Sequence, residues 1–159
     1  MSKQTINIDL TECRVELRKM LAEVVTDECV LKELSEDEDS VVRENVAKNL
    51  ATPSSMLEVL AKDEEMRVRY CVVKHPKCPT NVLANLANDD ALCVKHIVAA
   101  NPRTPKEGLM ALIKQHNFTI NNELALNPNI TSEMEAEIIE HMICDWELES
   151  WEHIRRMNK

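Results

Sequence analysis

Three groups of side chains have the types and spacings of metal or nucleophile chemistry. Cys71 and His75 stand at i and i+4, with Cys78 three residues further on, a spacing at which one helical face can offer thiolate and imidazole to a zinc ion. That trio has no fourth ligand, and Cys78 fills a helix-start position held by threonine at Thr52 and Thr104. No metal site is assigned. Cys93 and His96, at i and i+3, have the spacing of a thiol–imidazole nucleophile, but nothing near them in the sequence supplies an orienting group or an oxyanion donor. No catalytic residue is assigned, and the chain reads as a non-enzyme. The acidic run 36–39 has the charge of a calcium loop without its glycine or its closing glutamate. It reads as a solvated turn leading into a helix N-terminus, where acids are favourable. The chain has one glycine, too few for a phosphate-cradling loop, so no cofactor is expected.

The elements that hold these residues follow a 26-residue period. Val42-Arg43, Val68-Arg69, Val94-Lys95 and Ile120-Asn121 fall on it, as do Pro53, Pro79 and Pro105, with Thr131 in the fourth copy. A unit this short cannot bury its own apolar face and must stack on its neighbours, which predicts an all-α solenoid of about four two-helix repeats with helical caps at both ends. In each copy proline is expected at the first helical position, with threonine as N-cap in two copies. A first helix then carries Met56, Leu57 and Leu60, or Val82, Leu83 and Leu86, or Leu109 and Leu112. A second helix starts near Val42, Val68, Val94 and Ile120 and ends before a proline at His75-Pro76, Asn101-Pro102 and Asn127-Pro128, a place that Leu50 holds in the first copy. The whole chain, 1–159, is expected to be one helical-repeat domain. Residues 11–25 form an N-terminal cap helix, 26–130 the repeats, and 131–159 the end of the last repeat and a cap. Over 133–156 the cap is one amphipathic stretch with a possible break near Asp145, in which Trp146 packs on the last repeat and Trp151 lies off that face.

Net charge is −9, unevenly spread. Residues 1–65 carry 16 acids and 8 bases, 66–115 carry 3 acids and 8 bases, and 116–159 carry 9 acids and 3 bases. An acidic protein with a basic waist is not a general binder of polyanions. No run approaches the roughly 18 apolar residues of a membrane span, and the first ten residues lack the apolar core of a signal peptide. A cytoplasmic location with no membrane partner is the expectation. The six cysteines, at positions 13, 29, 71, 78, 93 and 144, show neither C-x-x-C pairs nor even spacing, and read as reduced, packed thiols.

A charged step recurs with the period. Asp37 and Arg43, Asp63 and Arg69, and Asp89 and Lys95 are each six residues apart, and in the fourth copy Gln115 and Asn121 replace acid and base together. That joint loss predicts a structural ladder in which the two side chains of one copy bond to each other or to shared turn amides. This D-x5-R/K step, the V-R-x-x-V-A run from Val42 to Ala47 with its degenerate echoes, the N-P turns and the T-P-x-x-x-L helix starts resemble the leucine-rich repeat variant family, a relative of HEAT repeats. The resemblance covers about residues 26–140. It implies a right-handed superhelix with one short or 3₁₀-type helix layer, and protein binding as its role. A cysteine-rich N-terminal segment holding an iron–sulfur cluster in one family member is matched here by Cys13 and Cys29 alone, so no cluster is carried over.

With Val42, Val46 and their equivalents inward, positions 41, 44 and 48 and their equivalents lie on the opposite side of the second helix, which lines the concave surface in HEAT-like solenoids. Glu44, Lys48, Arg67, Tyr70, Lys74, Cys93 and His96 then form one patch on the basic waist. Tyrosine and arginine are frequent interface anchors. The expected function is therefore an adaptor or inhibitor that binds another protein on this patch, a small-molecule ligand being disfavoured. Two alternatives remain open. One is nucleic-acid binding through Arg67, Lys74, Lys77, Arg103 and Lys106, against which stand the acidic flanks and a total of four aromatic residues. The other is mimicry of nucleic acid by the acidic surface.

Overall fold

Each period supplies two short helices, and neither is long enough to be stable alone. The computed structural model describes residues 14–142 and 145–157, with α1 (Val15–Val24), α2 (Glu28–Ser35), α3 (Ser40–Lys48), α4 (Ser54–Leu60), α5 (Met66–Lys74), α6 (Thr80–Leu86), α7 (Leu92–Ala100), α8 (Lys106–Ile113), α9 (Phe118–Leu126), α10 (Ser132–Glu140) and α11 (Asp145–Met157). All regular structure among the described residues is helical, and no helix there is long and apolar enough to cross a membrane. From α2 to α10 the even helices begin 26 residues apart, and from α3 to α9 the odd helices do the same. Helices of seven to nine residues are marginal in water and depend on burying one face. Here that face is Val42, Val46 and Ala47 in α3, Val68, Val72 and Val73 in α5, Val94, Val98 and Ala99 in α7, and Ile120, Leu124 and Ala125 in α9, all fully buried. Leu57, Leu83, Leu109 and Leu112 close the core from the even helices. Each odd helix packs on the next, from α1 through to α11, while the even helices pack on one another more sparsely. Gly108 lies where α8 approaches α6 most closely, since a Cβ there would stand 3.2 Å from Ala84 Cα.

Several expectations are corrected. The odd helices begin two residues earlier than the valine pattern indicates, at Ser40, Met66, Leu92 and Phe118. Proline is the N-cap residue rather than the first helical one, and its column reads Asp27, Pro53, Pro79, Pro105 and Thr131, with the Asp27 and Thr131 side chains accepting backbone N–H bonds. Thr52 and Thr104 are not caps; each buried hydroxyl donates at 2.6 Å to a carbonyl in the preceding odd helix, Val46 O and Val98 O. The even row is short, one of the two expected forms, and α-helical. The C-terminal stretch breaks before Asp145, where a break was expected, into two helices: α10 occupies the first-helix place of a further copy, and α11 joins the odd row against α9. Trp151, expected off the packed face, is buried. The Trp146 side chain, like Cys13 and Cys144, lies outside the described residues.

The ladder exists, with different partners. Each cation bonds to the side chain that fills the acid's place in the next copy, not to the acid of its own. Arg43 clasps Asp63 (2.7 and 3.0 Å) and Arg69 clasps Asp89 (2.6 and 2.9 Å) with both donors of the Nε–Nη2 edge, Arg18 of α1 pairs with Asp37 (2.6 Å), and Lys95 donates to Gln115 (2.8 Å). The six-residue step within a copy is a bond from Nη1 to a carbonyl: Arg43 to Asp37 O at 2.7 Å and Arg69 to Asp63 O at 2.8 Å. Asp63 and Asp89 also accept the N–H two residues on, from Glu65 and Ala91. Burial alone would raise these two carboxyls, but the guanidinium and backbone hydrogen bonds outweigh it and hold both below the usual carboxylate range.

A second ladder had no counterpart in the expectations. The residues closing the odd helices, Asn49, His75, Asn101 and Asn127, sit 26 apart and reach back into the preceding copy. Asn49 Nδ2 donates to Ala22 O (2.9 Å) and Val25 O (2.8 Å), Asn101 to Val73 O (3.1 Å), and Asn127 to Ala99 O (2.7 Å) and Asn101 O (3.0 Å). Their Oδ1 atoms accept N–H bonds from Ala51, Arg103 and Asn129. These bonds satisfy carbonyls at helix C-termini, which have no partner inside their own helix.

Candidate partner-binding surface

The side of the odd row opposite the valines carries the predicted residues. Arg67, Lys74, Lys48 and Cys93 are exposed, and Glu44, Tyr70 and His96 are half-buried. On α5, Arg67, Tyr70 and Lys74 follow one another at i, i+3 and i+7, so one helix face presents a guanidinium, a phenol and an ammonium in line. Lys74 Nζ lies 5.4 Å from the centroid of the Tyr70 ring, within cation–π range. Lys48 Nζ pairs with Glu44 at 2.5 Å one turn back on α3, and that bond raises the Lys48 ammonium above its usual value against the opposing effect of burial.

Between α3 and α5, Lys48, Tyr70 and Lys74 border a cleft of about 230 Å³, lined also by Ala47, Leu50, Cys71, His75 and Pro76. Leu50 is 67% exposed at its mouth. The cleft was not foreseen, although its signal was present: Leu50 stands where the other three copies have proline. Cys93 and His96 lie on α7, one copy further along, and are not part of this cleft.

The reactive readings do not assemble. His75 is buried with both ring nitrogens engaged: Nδ1 lies 3.1 Å from the Lys77 N–H, which makes it the acceptor, so Nε2 carries the proton and donates to Asn49 O at 3.0 Å. Burial raises the Cys71 thiol and pushes Cys78 up to about 11, so neither offers a thiolate. No cluster of three His, Cys, Asp or Glu side chains suited to a metal ion occurs among the described residues. Cys93 Sγ lies 3.2 Å from Met66 Sδ rather than on His96, whose Nε2 is buried without a partner. Glu123, absent from the expectations, stands 3.9 Å from His96 Nδ1, beyond hydrogen-bond distance. In the acidic run 36–39, Asp37 holds Arg18 and Asp39 caps α3 while facing Lys19 at 3.1 Å.

His75 makes the stack sensitive to acid. Burial depresses its affinity for a proton in the folded chain, so below the ordinary histidine value of about 6.5 the unfolded chain takes up a proton that the folded chain refuses, and stability falls with pH in that window. Asn fills the same place in three other copies and bonds similarly. His75→Asn is therefore expected to unfold at a urea midpoint close to the parent's at about pH 7.5 and to lose less stability on going to about pH 5.5. Equal losses would show that the imidazole does not titrate across the transition.

No protein-family model, curated protein or solved structure matches the chain.

Proposed function

We propose that this chain is a cytoplasmic, non-enzymatic interaction module: a right-handed α-solenoid of the leucine-rich repeat variant type whose odd-helix row is concave and binds another protein. The observation that carries this reading is the α5 face, where Arg67, Tyr70 and Lys74 stand in line, the last two bordering a cleft, and no side chain of the fold's two ladders is drawn from them. An aromatic ring bordering a partly desolvated pocket, with a guanidinium on the same helix face, has the composition of an interface hot spot. Of the five basic groups that a nucleic-acid reading needs, Arg67 and Lys74 are shared with this face and the other three have partners nearby. Arg103 donates to Pro76 O, Lys77 Nζ lies 3.5 Å from Ala51 O, and Lys106 stands 4.0 Å from Glu133.

The test is the double reversal Arg67→Glu/Lys74→Glu, compared with a double reversal on the even row, Lys62→Glu/Lys114→Glu. The first is expected to leave the circular-dichroism melt unchanged and to abolish cross-linking of a protein partner to a photo-reactive residue at position 41. Tyr70→Ala should weaken the same contact by at least ~1–2 kcal/mol. Cross-linking that survives Arg67→Glu/Lys74→Glu but fails in the even-row variant would move the binding face to the other row.

A further inference from the structure

The cleft between α3 and α5 departs from the repeat at the points where a ligand would touch it. In the column 50, 76, 102, 128 the residues are Leu, Pro, Pro, Pro, and in the column 48, 74, 100, 126 they are Lys, Lys, Ala, Leu. Only the first two copies therefore place two ammonium groups in adjacent rows, and only there does an exposed leucine replace the turn proline. An aliphatic side chain left 67% exposed at the mouth of a cleft is apolar surface that association can remove from water. The floor, made by Ala47, Cys71 and His75, is buried and apolar in character: burial raises the thiol, and burial, aided by the nearby Lys77 charge, lowers the imidazole against the opposing effect of its bond to Asn49 O.

Charge sets what can enter. The carboxylates that act on the Lys48 ammonium are Glu44, already paired with it, and Glu23, which accepts a bond from Asn45. Among the described residues no carboxylate pairs with Lys74, which lies against the Tyr70 ring, and Arg103 reaches the far rim, where it donates to the Pro76 carbonyl. Sites for small molecules usually run to about 300–1,000 Å³, so a cleft of about 230 Å³ suits one large side chain rather than a free ligand. We propose that the cleft takes a single apolar anchor from an extended acidic segment of the partner protein, the anchor lying on Leu50, Pro76 and Tyr70 and the adjacent carboxylate on Lys74. This rests on the odd row being the binding face.

A random 12-residue peptide library selected against the full chain tests it. Enrichment of peptides with an apolar residue flanked by Asp or Glu is expected, and labelled versions of them should bind Lys74→Gln and Leu50→Pro about tenfold or more weakly by fluorescence anisotropy, with binding weakened by salt. Leu50→Pro is chosen because proline occupies this place in three copies, no backbone bond from the Leu50 N–H is present, and Asn49 is already extended (φ −68°, ψ 119°), as a residue before proline must be. Thermal melts of both variants matching the parent's exclude misfolding. Enrichment of basic peptides, no enrichment, or equal binding to the variants would overturn the inference. So would binding of a 20-base-pair duplex that Lys74→Gln abolishes. If partner cross-linking is lost in Arg67→Glu/Lys74→Glu while the library gives no acidic–apolar motif, the face stands and the anchor does not.

Discussion

Asp89→Ala is expected to destabilise the fold by about 3–5 kcal/mol, the range for removing one member of a buried, hydrogen-bonded ion pair. The carboxylate accepts two bonds from Arg69 and one from the Ala91 N–H, with only 3% of its side chain exposed. Its loss leaves Nε and Nη2 of a guanidinium with 15% exposure, and a turn N–H, without acceptors, while Nη1 keeps its carbonyl bonds. Arg69→Ala should cost a similar amount, while the double replacement should cost less than the two singles together by roughly 0.5–3 kcal/mol. The control is Asp63→Ala with Arg69→Ala. Arg69 meets that residue through its backbone carbonyl, which alanine retains, so the coupling should be clearly smaller. Urea unfolding of the variants decides the matter; coupling larger for Asp63–Arg69 than for Asp89–Arg69 would contradict the bonding across copies. Because Asp63 and Asp89 are held below the usual carboxylate range when folded, their contribution is complete above the unfolded value of about 4 and is lost as pH falls through the folded values.

Asn127→Ala is expected to cost about 3 kcal/mol or more, from two carbonyls and one N–H that lose their partners in or near the core. Asn127 is fully buried and bonds to Ala99 O, Asn101 O and the Asn129 N–H. Asn127→Leu should be no better than alanine, since bulk does not replace a donor and an acceptor on one short side chain. Asn127→His should recover much of the loss, because imidazole does this work at position 75. A melt in which leucine matches the parent would show that volume, not hydrogen bonding, is what the position requires.

The period, the pairing of helices and the buried faces were legible because they depend on side-chain spacing within one copy. Val42, Val46 and the equivalent residues announce an inward face wherever the next copy sits. The partners of Arg43 and Arg69 were not legible. A step of six residues inside a copy and a step of twenty between copies recur with equal regularity, so periodicity alone cannot choose between them. Arg18 stands 25 residues before Arg43 rather than 26, and so escaped the register although it makes the same kind of contact. His75, Asn101 and Asn127 were read as helix ends beside proline, with Leu50 in the proline's place after Asn49, which is where they lie; what the sequence did not show is that a side chain there reaches back across the boundary into the preceding copy. Of the candidate surface, Tyr70, Lys74 and Lys48 came together as expected. Leu50 was visible as an irregularity without a consequence until the cleft beside it was seen.

Both ladders join a residue in one copy to a partner in another. Arg43 needs the turn that follows α4, and Asn127 needs the end of α7. The 26-residue unit that the eye picks out is therefore a unit of description and not of autonomy. Cut anywhere, the chain parts donors from acceptors, and a lone copy would meet water with half of each bond. Length can change without harm only by whole periods added inside the stack, where every new residue brings one half of a bond and inherits the other.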